Sequence, residues 1–281
     1  MTRHRFGNIT LKTIIYIVCI VLVVLSIFPF IIMLVNSTRD TPQIQQNAIS
    51  LIPSTNFQTN MDVLTGRMFD PLQGMINSAI ISVSATALTV YFSTLTAFAL
   101  VAYSWRLRQP FFTFIMVVMM IPAQVSSIGF FHFMFRIGWT NNFLALILPA
   151  VAAPIAVFFL RQYMLGALSL DLLEAARIDG SSEFRTFNQV VIPIMKPAMA
   201  TQAIFSFVAS WNNLFIPSIL LTRSDRMTLP IMVALLRGDA YRVELGAIYL
   251  GLALAVLPLL IAYCIFSKYI VAGVALGSVK G

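Results

Sequence analysis

The chain has 281 residues, of which 59% are hydrophobic and only 10% charged, and its mean hydropathy is +0.89. A water-soluble globular domain is excluded, because charged residues there make up about 25%. The net charge of +8 does not mark a nucleic-acid binder either, since the basic residues flank apolar runs and do not cluster among aromatics.

The composition describes an all-α, polytopic membrane protein, and its spans can be taken in order. Arg3, Arg5 and Lys12 precede an apolar run over about residues 14–35. At about 1.5 Å per residue this is long enough to cross a hydrocarbon layer of about 30 Å. Asn36-Ser37-Thr38-Arg39-Asp40 follows, with no small-residue cleavage site, so the run reads as an uncleaved anchor. The polar stretch to about Met75 carries Pro42, Pro53 and Pro71 and is expected outside. A second span, about 77–103, is rich in Ser, Thr and Ala, which permit close helix approach. Trp105 to Pro110 turns it back.

The third span, about 111–135, contains Pro122 and the polar run Gln124 to Ser127. Such groups are tolerated in lipid only where they face other helices or a water-filled route, so Gln124 and Ser127 are candidates for a solute pathway. The fourth, about 143–160, holds Pro149 and Pro154, and the fifth and sixth run over about 198–221 and 246–269. Leu229 to Leu236 is apolar but too short to cross, which predicts a re-entrant or interfacial helix.

Six spans with a cytoplasmic N-terminus return the C-terminus to the cytoplasm. Lys12, Lys196, Lys268 and Lys280 then share the inner side with Arg106, Arg108, Arg161, Arg177 and Arg185, as the positive-inside rule requires. Arg39, Arg67, Arg136 and the arginines between 222 and 245 fall outside. The reading is one transmembrane domain, 1–281, with a cytoplasmic loop at 161–197.

That loop is the substantial polar island between apolar segments. Asp171 and Glu174 have the spacing of a capping box, so a short helix should begin near Leu172, and Gly180 supplies the left-handed residue that ends it. A second helix is expected from Ser181 or Ser182 to just before Pro193, with Phe184, Phe187, Val190 and Val191 on one face. Chemistry-bearing clusters are missing from the sequence. There is no phosphate-binding loop, His4 and His132 have no carboxylate partners in sequence, and Cys19 and Cys264 fall inside apolar runs. No metal site is indicated, and no acidic residue lies well inside a span, so an ion relay is poorly supported and energy must come from a partner.

Glu174-Ala175-Ala176, then Gly180, then Val190, Ile192 and Pro193 resemble the cytoplasmic loop of binding-protein-dependent ABC importer permeases. Asn77-Ser78, Trp211-Asn212-Asn213, Thr228-Leu229-Pro230 and the ending Gly277 to Gly281 look like the carbohydrate-uptake branch, in particular the smaller maltose-type permease. Ile192 and Asn213 depart from the commoner Leu and Asp. The resemblance implies a type I ABC importer permease fold in the plasma (inner) membrane of a prokaryote, surrounded by lipid. It implies as partners a second permease, an ATPase dimer that carries the ATP and Mg, an external solute-binding protein and a sugar; no cofactor and no nucleic acid would bind this chain.

In such a permease Glu174, Ala175, Ala176, Asp179, Gly180, Phe184 and Pro193 would form the coupling helix region that docks on the ATPase. Phe184 and Phe187 would pack on the permease body or in the ATPase groove. Trp211, Asn212 and Asn213 either line the sugar route or hydrogen-bond between helices, and Lys280 and Gly281 either reach the ATPase or end in solvent. The alternatives are the same architecture importing glycerol-phosphate or another polar solute, a secondary carrier, and an integral-membrane enzyme.

Overall fold

A computed structural model describes residues 2–66, 70–236 and 244–278, with side chains placed over 12–66, 70–122, 124–236 and 244–265. Among the described residues there are helices, turns and no strands. In chain order the helices are α1 (Thr2–Asn36), α2 (Thr41–Gln46), α3 (Phe57–Gly66), α4 (Pro71–Ala102), α5 (Arg108–Met119), α6 (Ala123–Arg136) and α7 (Leu144–Ile147), followed by α8 (Pro154–Ala167) and α9 (Leu170–Ile178). The series ends with α10 (Glu183–Thr186), α11 (Ile192–Trp211), α12 (Phe215–Leu220), α13 (Leu229–Leu235) and α14 (Leu245–Ser278).

Among the described residues five segments are long and apolar enough to cross a membrane: Lys12–Asn36, Pro71–Ala102, Leu144–Ala167, Glu183–Trp211 and Leu245–Ile265. A sixth span exists if α5 and α6, bent by 98°, are counted together. The expected continuous third span is thus broken. Pro122, extended at φ −60° and ψ 126°, sits at the break and cannot extend α5. The fourth segment begins with one α turn and a 3-10 turn over Leu148–Val151, and continues to Ala167, well beyond the expected end near 160.

The chain divides into two compact units: Met1–Pro71 with Val233–Leu257, and Leu72–Met232 with Pro258–Gly281. In the first unit, α1 ends in a polar knot. Arg39 is buried, and its guanidinium donates to Asn36 Oδ1 at 3.0 Å, Asn47 O at 2.7 Å and Gln43 O at 2.8 Å. Acceptors on three sides replace the water that this cation gives up. Asn60 donates to the carbonyls of Ser37 and Arg39 at 2.8 and 3.0 Å. Gly246 fits against this pair only because it has no side chain, since a Cβ there would lie 2.2 Å from Arg39 O.

In the second unit, α4 lies against the segment leading into α13. Asn77 donates to Asp225 O and Met227 O at 3.1 and 2.9 Å, and Ser78 Oγ accepts from Leu229 N at 2.9 Å. Asn77-Ser78 and Thr228-Leu229-Pro230, 150 residues apart, are therefore one structural feature. Gly74 allows the approach, because a Cβ there would be 3.2 Å from Leu229 Cα. The short apolar run expected to form a re-entrant or interfacial helix is helical as α13.

Candidate functional site

The polar island folds as a helical hairpin of α9 and α10. Its start differs from the expected capping box. Ser169, two residues earlier, is the N-cap and accepts from Asp171 N at 3.2 Å. Asp171 instead occupies the first turn, where the helix dipole favours negative charge. The end is as expected: Gly180 has φ +75°, with Gly180 N bonded to Arg177 O at 3.0 Å and Ser181 N to Ala176 O at 2.9 Å. These paired bonds close the last turn and require the left-handed residue.

Ser182 caps α10, accepting from Arg185 N at 3.4 Å. The helix does not stop before Pro193. It widens into a π turn over Phe187–Val191, with Ile192 N bonded to Phe187 O, and runs on into α11 with Pro193 in its first turn. A first turn tolerates a missing N–H, so the wide turn and the proline together pass the chain into the long helix. The non-helical joints of the region are thus 168–169 and 179–182.

The hairpin has a buried foot and an exposed tip. Leu173, Phe187 and Val191 join Phe98 of α4 and Leu160 and Met164 of α8 in one core. Phe187 lies 5.6 Å from Tyr91, edge to face, and 5.5 Å from Phe98. Phe184 does not share that face: it is 69% exposed, and Ile178 is 86% exposed. Glu174, Ala175, Asp179 and Gly180 are exposed as well, and Ala176 is half-buried. Among the described residues no hydrogen bond or ion pair holds Glu174. Exposed apolar side chains around an uncommitted carboxylate make a surface suited to a partner.

A clasp ties the hairpin to the end of α4. Arg177 Nε donates to Glu183 Oε1 at 2.9 Å, and the Tyr103 hydroxyl donates to Glu183 Oε2. The Arg177 guanidinium carbon is 5.5 Å from the Tyr103 ring centroid. Partial burial, and then the neighbouring Glu183 carboxylate, raise the Tyr103 phenol above its ordinary value.

The second feature is a cavity of about 450 Å³ bordered by α4, α6, α7, α11 and α12, within the size range of small-molecule sites. Ser126, Ser127, Ser210 and Asn213 bring hydroxyl and amide groups to walls that are otherwise apolar, with Phe130, Pro149 and Pro217 among them. Among the described residues no charged side chain lines it. Of the sequence candidates, Ser127 and Asn213 both line it, whereas Gln124, Trp211 and Asn212 are not in the lining. Gln124 is exposed and its carbonyl accepts from Ser127 Oγ at 2.6 Å. Trp211 is buried, stacks on Phe207 at 5.7 Å and borders a separate apolar groove with Pro258. Asn212 is the C-cap of α11 and Asn213 lies just beyond it, so the helix end separates the three residues. Ser210 and the prolines were missed by sequence; Pro149 and Pro217 mark the helix breaks that open the space. Lys280 and Gly281 lie outside the described residues.

The sequence profile of the family described as "Binding-protein-dependent transport system inner membrane component" matches residues 89–276. The chain belongs to this family. It is a multi-pass inner-membrane permease, and the matched residues include both the hairpin and most of the cavity. The arabinooligosaccharides transport system permease protein AraQ of Halalkalibacterium halodurans is 35% identical over 262 residues, covering 92% of each chain. The lactose transport system permease protein LacG of Rhizobium radiobacter is 32% identical over 256 residues, covering 91% of this chain and 92% of its own. The trehalose/maltose transport system permease protein MalG of Thermococcus litoralis is 31% identical over 275 residues, covering 96% and 98%. The crystal structure of a bacterial ABC transporter involved in the import of the acidic polysaccharide alginate superposes with a TM-score of 0.77 at 21% identity, covering 94% of this chain and 98% of that one. The permease therefore has an ABC importer fold.

Proposed function

We propose that this permease carries a neutral sugar or oligosaccharide into the cell, delivered by an external solute-binding protein and driven by a partner ATPase. The observation that carries the substrate class is the cavity, whose lining among the described residues offers uncharged hydroxyl and amide groups and no cation. Sugar hydroxyls exchange hydrogen bonds with such groups, whereas glycerol-phosphate or another anion calls for a basic partner. The named relatives that handle arabinooligosaccharides, lactose and trehalose or maltose support the same reading.

The hairpin faces the cytoplasm in this reading, with both termini on that side, and docks in a groove of the ATPase dimer that binds ATP and Mg. Glu174 meets a basic group there, and Phe184 and Ile178 add apolar contact. Because the buried foot continues into α8 and α11, movement of the ATPase displaces both long helices together. A second permease completes the translocation route.

Reconstitution tests the whole reading. The complex with its second permease, ATPase and binding protein should accumulate a sugar only when ATP is supplied. Accumulation driven by an ion gradient without ATP would reject it in favour of a secondary carrier.

A further inference from the structure

Around the turn at 103–107, positive charge gathers from α5 and α8. Arg108 opens α5, and its Nη1 donates to Tyr103 O at 3.2 Å. Arg161 comes from α8, with its guanidinium carbon 4.1 Å from the centroid of Phe112. Phe112 in turn stacks on Phe158 at 6.5 Å. Arg108 and Phe112 stand one turn apart on α5, so Arg161, over the Phe112 ring, meets the face of that helix that carries Arg108. Arg161 Nε is buried with no hydrogen-bond partner, and among the described residues neither arginine is ion-paired with a carboxylate.

Two guanidiniums brought to one face of α5 repel each other, and a buried donor without an acceptor costs free energy. An oxyanion between them answers both demands. Stacking on Phe112 fixes the plane of Arg161 and leaves its edge for paired hydrogen bonds to oxygen atoms. The start of α5 adds a further attraction, since no side chain caps it and its first-turn dipole favours negative charge. The surface beside the pair is apolar: Trp105, Leu107, Phe111 and Phe114 are exposed, and Trp105 is fixed by a bond from Nε1 to Ala99 O at 3.2 Å. An exposed tryptophan beside arginines at the end of a span is how side chains meet the headgroup layer.

We propose that Arg108 and Arg161 bind the phosphate of an anionic phospholipid headgroup, with the exposed apolar side chains of the 105–114 segment against its acyl chains. The shared chemistry is a phosphate group, and the apolar surround selects the lipid as its source over a soluble phosphate. The site also reaches the hairpin. Arg108 holds the carbonyl of Tyr103, and the phenol of the same residue holds Glu183. A bound headgroup therefore stiffens the joint between α4 and α10. The proposal does not depend on which solute is carried.

The test uses the assembled complex in nanodiscs made from equal parts phosphatidylglycerol and phosphatidylcholine, with co-purifying lipid counted by mass spectrometry after transfer to detergent. Phosphatidylglycerol should be enriched, and Arg108→Gln and Arg161→Met should each lower its retention about fivefold. Arg161→Met keeps the packing on Phe112, Arg108→Gln covers the case in which Arg161→Met fails to fold, and thermal unfolding in phosphatidylcholine alone checks both. Equal retention of the two lipids, or unchanged phosphatidylglycerol in a folded variant, would overturn the site. Displacement of the lipid by millimolar inorganic phosphate would overturn the lipid as its occupant. Loss of the ATPase from a variant that keeps its lipid would assign the arginines to a protein contact instead.

Discussion

The hairpin and the cavity are both parts of the permease's second unit, yet they are built in opposite ways. The hairpin comes from about 25 consecutive residues, 168–191, and its bends are set by neighbours in sequence: Ser169, Gly180 and Ser182 each cap or close a helix within a few positions. The cavity is drawn from five helices, and its space exists because α5 and α6 part at Pro122 and α7 gives way to a 3-10 turn at Pro149. A surface that must meet a partner is best carried on a stiff local unit. A space for a solute needs helices that are interrupted, and neighbours that satisfy the interrupted backbone.

The comparison breaks most severely if the foot of the hairpin is removed. Phe187 is buried among Tyr91, Phe98 and the α8 core, so Phe187→Ala should destabilise the folded chain by about 3–5 kcal/mol. Phe184→Ala, on the exposed side three residues away, should change stability by less than about 0.5 kcal/mol. Thermal unfolding and membrane abundance of the two variants decide the matter. Equal losses would mean that Phe184 also packs on the permease and that the tip is not a free surface.

A smaller effect separates shape from contact within the hairpin. Gly180→Val forces a β-branched residue to φ +75°, at about 1–3 kcal/mol, and should change the angle between α9 and α10. Glu174→Ala removes a carboxylate with no partner among the described residues, so stability should hold while binding of the ATPase weakens by about 1.5–3 kcal/mol. Both variants should reach the membrane yet lose solute-stimulated ATP hydrolysis and uptake. Retention of both activities by both variants would reduce the hairpin to a solvated connection.

What the sequence revealed follows the same division. The left-handed Gly180, the polar island and the apolar runs were legible because each depends on local rules or composition. Ser169 was missed as the N-cap because Asp171 offered an equally good short-range pattern. Pro193 misled more seriously. Proline stops a helix only where the turn before it is regular, and the π turn at Phe187–Val191 lets α11 begin beneath it. The direction of Trp211 could not be read, since adjacent residues at a helix end point about 100° apart and the choice of which faces the cavity rests on distant α4, α6 and α12. The joining of Asn77-Ser78 to Leu229 was likewise visible only as two separate motifs.

The cavity offers the finest test, because its polar groups are few and uncharged. Asn213 has one weak internal bond, from Ile216 N to its Oδ1 at 3.4 Å, so its amide NH₂ is available to a solute hydroxyl. Ser210 stands one turn earlier on the same wall. Replacing either by Ala removes one neutral hydrogen bond, worth about 0.5–1.5 kcal/mol, and should raise the half-saturating solute concentration about 2–10-fold. Trp211 borders the separate groove and not the cavity, so Trp211→Phe should leave that concentration unchanged. The measurement is uptake by the reconstituted complex with binding protein in excess, so that delivery is not limiting. A shift for Asn213→Ala and Ser210→Ala, but not for Trp211→Phe, places the solute in the cavity. The opposite pattern would move the route to the side of α11 that carries Phe207 and Trp211, where an aromatic face and not an amide would meet the sugar ring.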